Sequence, residues 1–277
     1  MSGKTLRLKR FVAAPDGKMV ILPLDHGVSC GPVPGLERMA GAVKMGIKGG
    51  ADGLVLHKGM LSCLEPVRDR LPGIFMHLSA GTRMGPHLHR KVPAGSVEEA
   101  VRRGADGVSV HVNFGSPHES EMLADLGAVG SACAEWQVPL LVMVYVCGAR
   151  EGETAPDSAV AHAARVAAEM GADIIKIPAP SDCTVLEEIA SSLPVPVVVA
   201  GGSKTPDEQI FLEKIERALR AGIRGVAIGR NVFQHERPQA FLNAICRMVH
   251  RGCTAREAWE RLQRSSLPPA RLPAISV

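Results

Sequence analysis

The chain has 277 residues, 46% apolar and 22% charged, a length that one α/β barrel domain can occupy and a composition that excludes disorder for its bulk. Its net charge is only +4, and Lys and Arg are scattered without interleaved aromatics, so a nucleic-acid partner is not expected. The seven cysteines are odd in number and contain no CxxC pair, and no apolar run reaches the roughly 18 residues of a membrane span, so the sequence predicts a reduced, cytoplasmic protein with no membrane partner.

The basic segment Met1 to Arg10 is not followed by an apolar stretch and does not read as a signal peptide. The first apolar run, about residues 19–26, ends in Asp25-His26. Gly50-Ala51-Asp52-Gly53 then closes a helical stretch and opens a second run, 53–58, which ends in His57-Lys58. A third run, 74–79, carries His77, and Ser96 ahead of Glu98 and Glu99 has the pattern of a helix N-cap.

Gly104-Ala105-Asp106-Gly107 repeats the punctuation before a run over 107–113 that ends in His111 and Asn113. The run 139–146 ends at Tyr145, the single tyrosine, and Asp157 to Met170 reads as a helix. Gly171-Ala172-Asp173-Ile174 opens the run 173–178 around Lys176. The run 195–200 leads into Gly201-Gly202-Ser203, and Gly222-Ile223-Arg224-Gly225 opens the last, 225–230, with Gly229-Arg230 at its end. Glycine is favoured just past a helix, and runs rich in Val, Ile and Leu suit buried parallel strands.

Eight such strands predict a single (β/α)₈ TIM barrel over residues 1–264, followed by a Pro-rich flexible tail, 265–277. A doubly wound sheet shares the alternation but does not favour eight units with so few insertions.

In these barrels polar chemistry collects where strands meet their following loops. A lysine between isoleucines in a packed sheet is costly to keep charged, so burial favours the neutral amine, which attacks carbonyls; Lys176 is the first catalytic candidate. An ammonium that snorkels outward or pairs with a carboxylate is the competing reading. Tyr145 ends the preceding strand, where a phenol could exchange protons beside the amine, and Asp25 could act as a base or hold a cation. Gly201, Gly202 and Ser203 after the seventh strand, with Gly229 and Arg230 after the eighth, match the usual barrel phosphate site, although glycines there also serve tight turns. His26, Lys58 and His111 are candidate substrate-binding groups, while His26, His57, His77 and His111 together leave open a metal-dependent lyase.

Leu24-Asp25-His26-Gly27-Val28-Ser29, Leu56-His57-Lys58-Gly59, His77-Leu78-Ser79, Ser109 to Asn113, Val199 to Gly202 and Gly229 to His235 resemble the motifs of the DeoC/FbaB class I aldolases. Within that family the resemblance is greatest to the 2-amino-3,7-dideoxy-D-threo-hept-6-ulosonate synthases and the heptulosonate synthases that begin 3-amino-4-hydroxybenzoate formation, and it runs from about Arg7 to Arg264. It implies a Schiff base on Lys176, proton donation by Tyr145 and assistance from Asp25, with no cofactor and no metal. It further implies a phosphorylated ketose or dihydroxyacetone phosphate as donor, L-aspartate semialdehyde as acceptor, a role in aromatic-precursor or secondary-metabolite biosynthesis, and a homo-oligomer. The chain departs from the pattern at Val146-Cys147-Gly148, where the family has Pro-Arg-Gly, and at Ile177-Pro178-Ala179-Pro180, where it has threonine and a Thr-Gly pair. A fructose-bisphosphate aldolase and a non-catalytic barrel that binds a phosphorylated metabolite are the remaining alternatives.

Overall fold

The computed structural model describes residues 2–12, 16–148 and 155–264; the expected tail, 265–277, lies outside them. All eight expected strands form: β1 (Met19–Pro23), β2 (Gly53–His57), β3 (Gly73–His77), β4 (Gly107–Phe114), β5 (Leu140–Val146), β6 (Ile174–Ile177), β7 (Val197–Ala200) and β8 (Gly225–Ala227). Each pairs in parallel with its neighbours in sequence, and β8 closes on β1 through Met19 opposite Gly225. The sheet is therefore a barrel, and the doubly wound alternative falls. Among the described residues no helix is long and apolar enough to cross a membrane.

Seven of the eight strands are shorter than the apolar runs, and β4 is one residue longer. Asp25 and His26 lie past β1, where His26–Cys30 forms one short helix, and Gly229 and Arg230 lie past β8, where Arg230–Phe233 forms another. The helix expected over Asp157 to Met170 spans Asp157–Glu169, and the Ser96 hydroxyl accepts from the Glu99 N–H at 3.1 Å to cap Val97–Arg102.

The repeated Gly-Ala-Asp punctuation has a physical role at each of its positions. Gly50, Gly104, Gly171 and Gly222 have φ of 93°, 79°, 95° and 95°, left-handed values that glycine adopts without a Cβ penalty. The aspartates that follow accept from the first N–H groups of an adjacent strand: Asp52 from Val20 at 2.7 Å, Asp106 from Ile74 at 2.9 Å and Asp173 from Leu140 at 2.9 Å. Each carboxylate also meets a cation, His250 at 2.8 Å, Arg10 at 2.9 Å and Lys4 at 2.9 Å respectively. Arg224 occupies the fourth position, keeping the backbone bond to Val197 without the carboxylate.

Strand side chains alternate between two cores. Met19, Ile21, Val55, Phe75, Leu141, Met143, Ile174, Val198 and Ala227 fill the barrel, whereas Val20, Leu54, Ile74, Val142, Ile175 and Val199 face the helices. Phe11, from the segment before β1, plugs the N-terminal end and stacks on Phe75 with ring centroids 3.8 Å apart. Gly53 and Gly73 make this possible, since a Cβ on either would press into the Phe11 ring.

Candidate active site

The inward alternation that puts apolar residues in the barrel puts polar ones at its C-terminal mouth. Lys176 lies two residues beyond Ile174 and so shares its inward direction, while Ile175 and Ile177 face outward. Lys176 is 6% exposed and, among the described residues, has no carboxylate within ion-pair distance; its ammonium contacts the Met143 sulfur at 3.9 Å. The burial of this lysine rules out the snorkelled reading, and no described carboxylate pairs with it. Met143 is its register partner on β5, and Tyr145 follows two residues later on the same face, placing Nζ 6.0 Å from the phenol ring centroid.

His111 on β4 stacks against Tyr145, with centroids 4.4 Å apart and planes 13° from parallel. Its Nε2 donates to Asn113 Oδ1 at 2.9 Å, and the Asn113 amide donates to the His89 carbonyl at 2.7 Å. The phenol ring is thus held by a stacked imidazole that is itself fixed on the far side. Burial pushes the His111 pKa down to about 3, against the pull of the Asn113 hydrogen bond.

Asp25 sits between His77 Nε2 and His26 Nδ1, each 3.7 Å from a carboxylate oxygen. Burial works against its ionisation, but His77, His26, Lys176 and His57 outweigh burial and lower its pKa to about 2. Burial in turn lowers His77 to about 4 despite Asp25, and it lowers His26 and His57 as well. At neutral pH the mouth therefore holds a carboxylate among neutral imidazoles. His77 is oriented by a 2.7 Å hydrogen bond between its Nδ1 and the Ser109 hydroxyl.

A cavity of about 410 Å³ joins Lys176, Tyr145 and His26 to Gly201, Gly202, Gly229 and Arg230. The side chain of Asn231, which sequence reasoning did not single out, ties the two loops of that second group together. It donates to the carbonyls of Gly201 at 2.8 Å and Ser203 at 3.0 Å and accepts from the Thr205 N–H at 2.8 Å. Arg230 Nε is buried without a hydrogen-bond partner and makes no ion pair among the described residues. Such a group is costly to leave bare and marks the place for an anion.

Two candidates lie off the cavity, and two of its glycines have a packing role. Lys58 points to the helical layer, its ammonium 3.3 Å from Glu99 Oε2, and does not line the cavity. Ser203 is exposed and also lies off the cavity. Gly201 and Gly229 answer first to packing, because a Cβ at Gly201 would lie 2.8 Å from Ile228 Cγ2 and one at Gly229 would lie 2.5 Å from His26 Cε1. Among the described residues no group of three or more His, Cys, Asp and Glu side chains is arranged to hold a metal ion.

The departures noted in the sequence fall on opposite sides of the lysine. Pro178, Ala179 and Pro180 line the cavity next to Lys176. Cys147 extends the β4–β5 pairing, its N–H donating to the Phe114 carbonyl at 2.8 Å.

Comparison with known proteins follows the same geometry. A family model described as DeoC/LacD family aldolase matches residues 19–235. The 2-amino-4,5-dihydroxy-6-oxo-7-(phosphonooxy)heptanoate synthase of Streptomyces griseus is 40% identical over 251 residues, which cover 91% of this chain and 92% of that one. The 2-amino-3,7-dideoxy-D-threo-hept-6-ulosonate synthase 1 of Archaeoglobus fulgidus is 37% identical, with 94% and 96% covered. Among solved structures, an archaeal fructose-1,6-bisphosphate aldolase with its catalytic Lys covalently bound to the carbinolamine intermediate of the substrate is 31% identical. It matches with a TM-score of 0.77 over 89% of this chain and 99% of that one.

Proposed function

Because the chain belongs to the DeoC/LacD family of aldolases and is a class I aldolase, we propose that Lys176 forms its Schiff base and that it joins a dihydroxyacetone phosphate-derived carbon to L-aspartate semialdehyde. The observation that carries this reading is an inward-facing, buried lysine with no ion-pair partner among the described residues, in one cavity with Tyr145 and with Arg230, whose Nε is buried without a hydrogen-bond partner.

The Lys176 amine adds to the donor ketone, and loss of water from the carbinolamine leaves an iminium that withdraws electrons from the neighbouring carbon. Removal of a proton from that carbon gives the enamine, whose carbon bonds to the aldehyde carbon as the aldehyde oxygen takes up a proton. Water then cleaves the new iminium and returns the amine. Tyr145 moves these protons, and Asp25, ionised at neutral pH, assists from across the mouth. Arg230 holds the donor phosphate. The name of the Streptomyces relative describes a seven-carbon amino acid that keeps a phosphonooxy group, which is what a three-carbon phosphorylated donor and a four-carbon amino aldehyde would make.

Borohydride treatment with dihydroxyacetone phosphate, read by peptide mass spectrometry, should leave the reduced adduct on Lys176. Turnover without an adduct there would overturn the assignment. Offering L-aspartate semialdehyde and glyceraldehyde 3-phosphate in parallel decides the acceptor: faster use of the second would make the chain a fructose-bisphosphate aldolase instead.

A further inference from the structure

The segment between β3 and the helix Val97–Arg102 contains a lysine that the chemistry above does not use. A two-residue ladder, Ser79–Ala80 against Val92–Pro93, folds this segment back over the mouth. Lys91 precedes the returning strand, and its side chain lies across Gly81. A Cβ at position 81 would sit 2.6 Å from the Arg90 carbonyl, 2.9 Å from Lys91 Cδ and 3.1 Å from Lys91 Nζ. Gly81 is not in a left-handed conformation, so what makes glycine fit there is the close approach of the Arg90 carbonyl, with the Lys91 side chain beside it.

Lys91 is half-buried, and its ammonium makes no hydrogen bond or ion pair with a described residue. Of the other basic groups of the segment, Arg90 meets Glu121 at 3.5 Å, while Arg83, tied by its backbone N–H to the Ser29 carbonyl at 3.2 Å, keeps its charge near enough to act on Lys91. Asp125 also borders the cleft by Lys91, but Arg90 is the cation that acts on it. Lys91 interacts electrostatically with Cys30, Asp25 and Arg83, and with His77 and His111 of the mouth.

In the closed ring β3 is four strands from β7, so the segment that carries Lys91 leaves the barrel on the side opposite Gly201, Gly202 and Arg230. A substrate pair that places a phosphate at Arg230 and its reacting carbon at Lys176 extends towards Lys91. We propose that Lys91 binds a carboxylate on the acceptor aldehyde and thereby selects acidic acceptors. This rests on the aldolase reading of the site.

The test compares succinate semialdehyde with butyraldehyde, four-carbon acceptors that differ by the carboxylate, in the native chain and in Lys91→Met, which keeps the aliphatic stem over Gly81. The native enzyme should prefer the acid. Lys91→Met should raise KM for succinate semialdehyde by about 10-fold or more while kcat/KM for butyraldehyde and borohydride trapping of dihydroxyacetone phosphate on Lys176 stay unchanged. Equal loss with both aldehydes, no loss with either, or no native preference for the acid would each overturn the proposal. Binding of L-homoserine, an unreactive carboxylate analogue, followed by calorimetry, gives a readout without turnover: it should weaken in Lys91→Met, and no native binding or equal binding counts against Lys91. Failure of trapping in the native chain would instead remove the Schiff-base reading.

Discussion

At the N-terminal end of the barrel, Asp52, Asp106 and Asp173 each accept from a strand N–H and meet a cation as well. At the C-terminal end, Lys176, Arg230 and Lys91 stand without an ion pair among the described residues, and the basic groups that meet the Asp25 carboxylate there are the imidazoles of His26 and His77. The contrast separates two demands on one sheet. Unpaired charges in a buried mouth cost stability, and the other end offsets that cost with closed polar networks and the Phe11 plug. Substitutions at the two ends should therefore fail in different ways.

Lys176→Met should give the largest effect. We expect turnover to fall about 10⁴-fold or more, with a thermal midpoint equal to or above the native one, because a buried unpaired amine is replaced by an apolar chain of similar length. A clear fall in the midpoint would show that the mouth supports the fold and would erase the contrast. Phe11→Ala should do the reverse. It empties the space under Phe75 and should cost about 3–5 kcal/mol in denaturant unfolding, while kcat per folded molecule is retained.

Asp173→Ala sharpens the comparison on a smaller scale. It leaves the Leu140 N–H without its acceptor and Lys4 without its partner, and a loss of about 1–3 kcal/mol is expected. Arg224 shows that the backbone bond alone can hold this position, so a loss near zero would mean that the carboxylates are dispensable and that closure rests on packing.

What the sequence revealed of this division was local. The punctuating glycines announce positive φ, and the Val and Ile runs announce parallel strands, since both are set by the backbone of a few residues. Lys176 stood out because it interrupts such a run, and Tyr145 because adjacent strands are neighbours in a barrel. The Phe11 plug was hidden, because its burial exists only after the ring closes. Asn231 was hidden for a similar reason: its three bonds join two loops about 30 residues apart in the chain. Lys91 read as an ordinary loop lysine, and nothing before folding showed that Gly81 makes room for it. Lys58 erred the other way, since its place at a strand end suggested the mouth while Glu99 draws it outward.

The least effect, and the one that tests both ends together, is the response to pH. Hydrogen bonding to Asp52 raises the His250 pKa above 6.5, against burial and with further help from Asp16 at 3.2 Å. A folded pKa above the unfolded one contributes stability that is complete below about pH 6.5 and is lost as pH rises through the folded value. The mouth histidines have the opposite sign. His77 and His111, lowered to about 4 and about 3, are held neutral by folding, so they draw stability away as pH falls below about 6.5. Asp25, lowered from 3.8 to about 2, adds stability that persists above about pH 4 and is lost as pH falls through about 2. Comparing His250→Gln with the native chain isolates the first contribution: the native advantage should be larger at about pH 6 than at about pH 8.5. An advantage that is constant or grows with pH would mean that His250 acts by packing alone, and the N-terminal network would then owe its strength to Asp52 and the Val20 N–H.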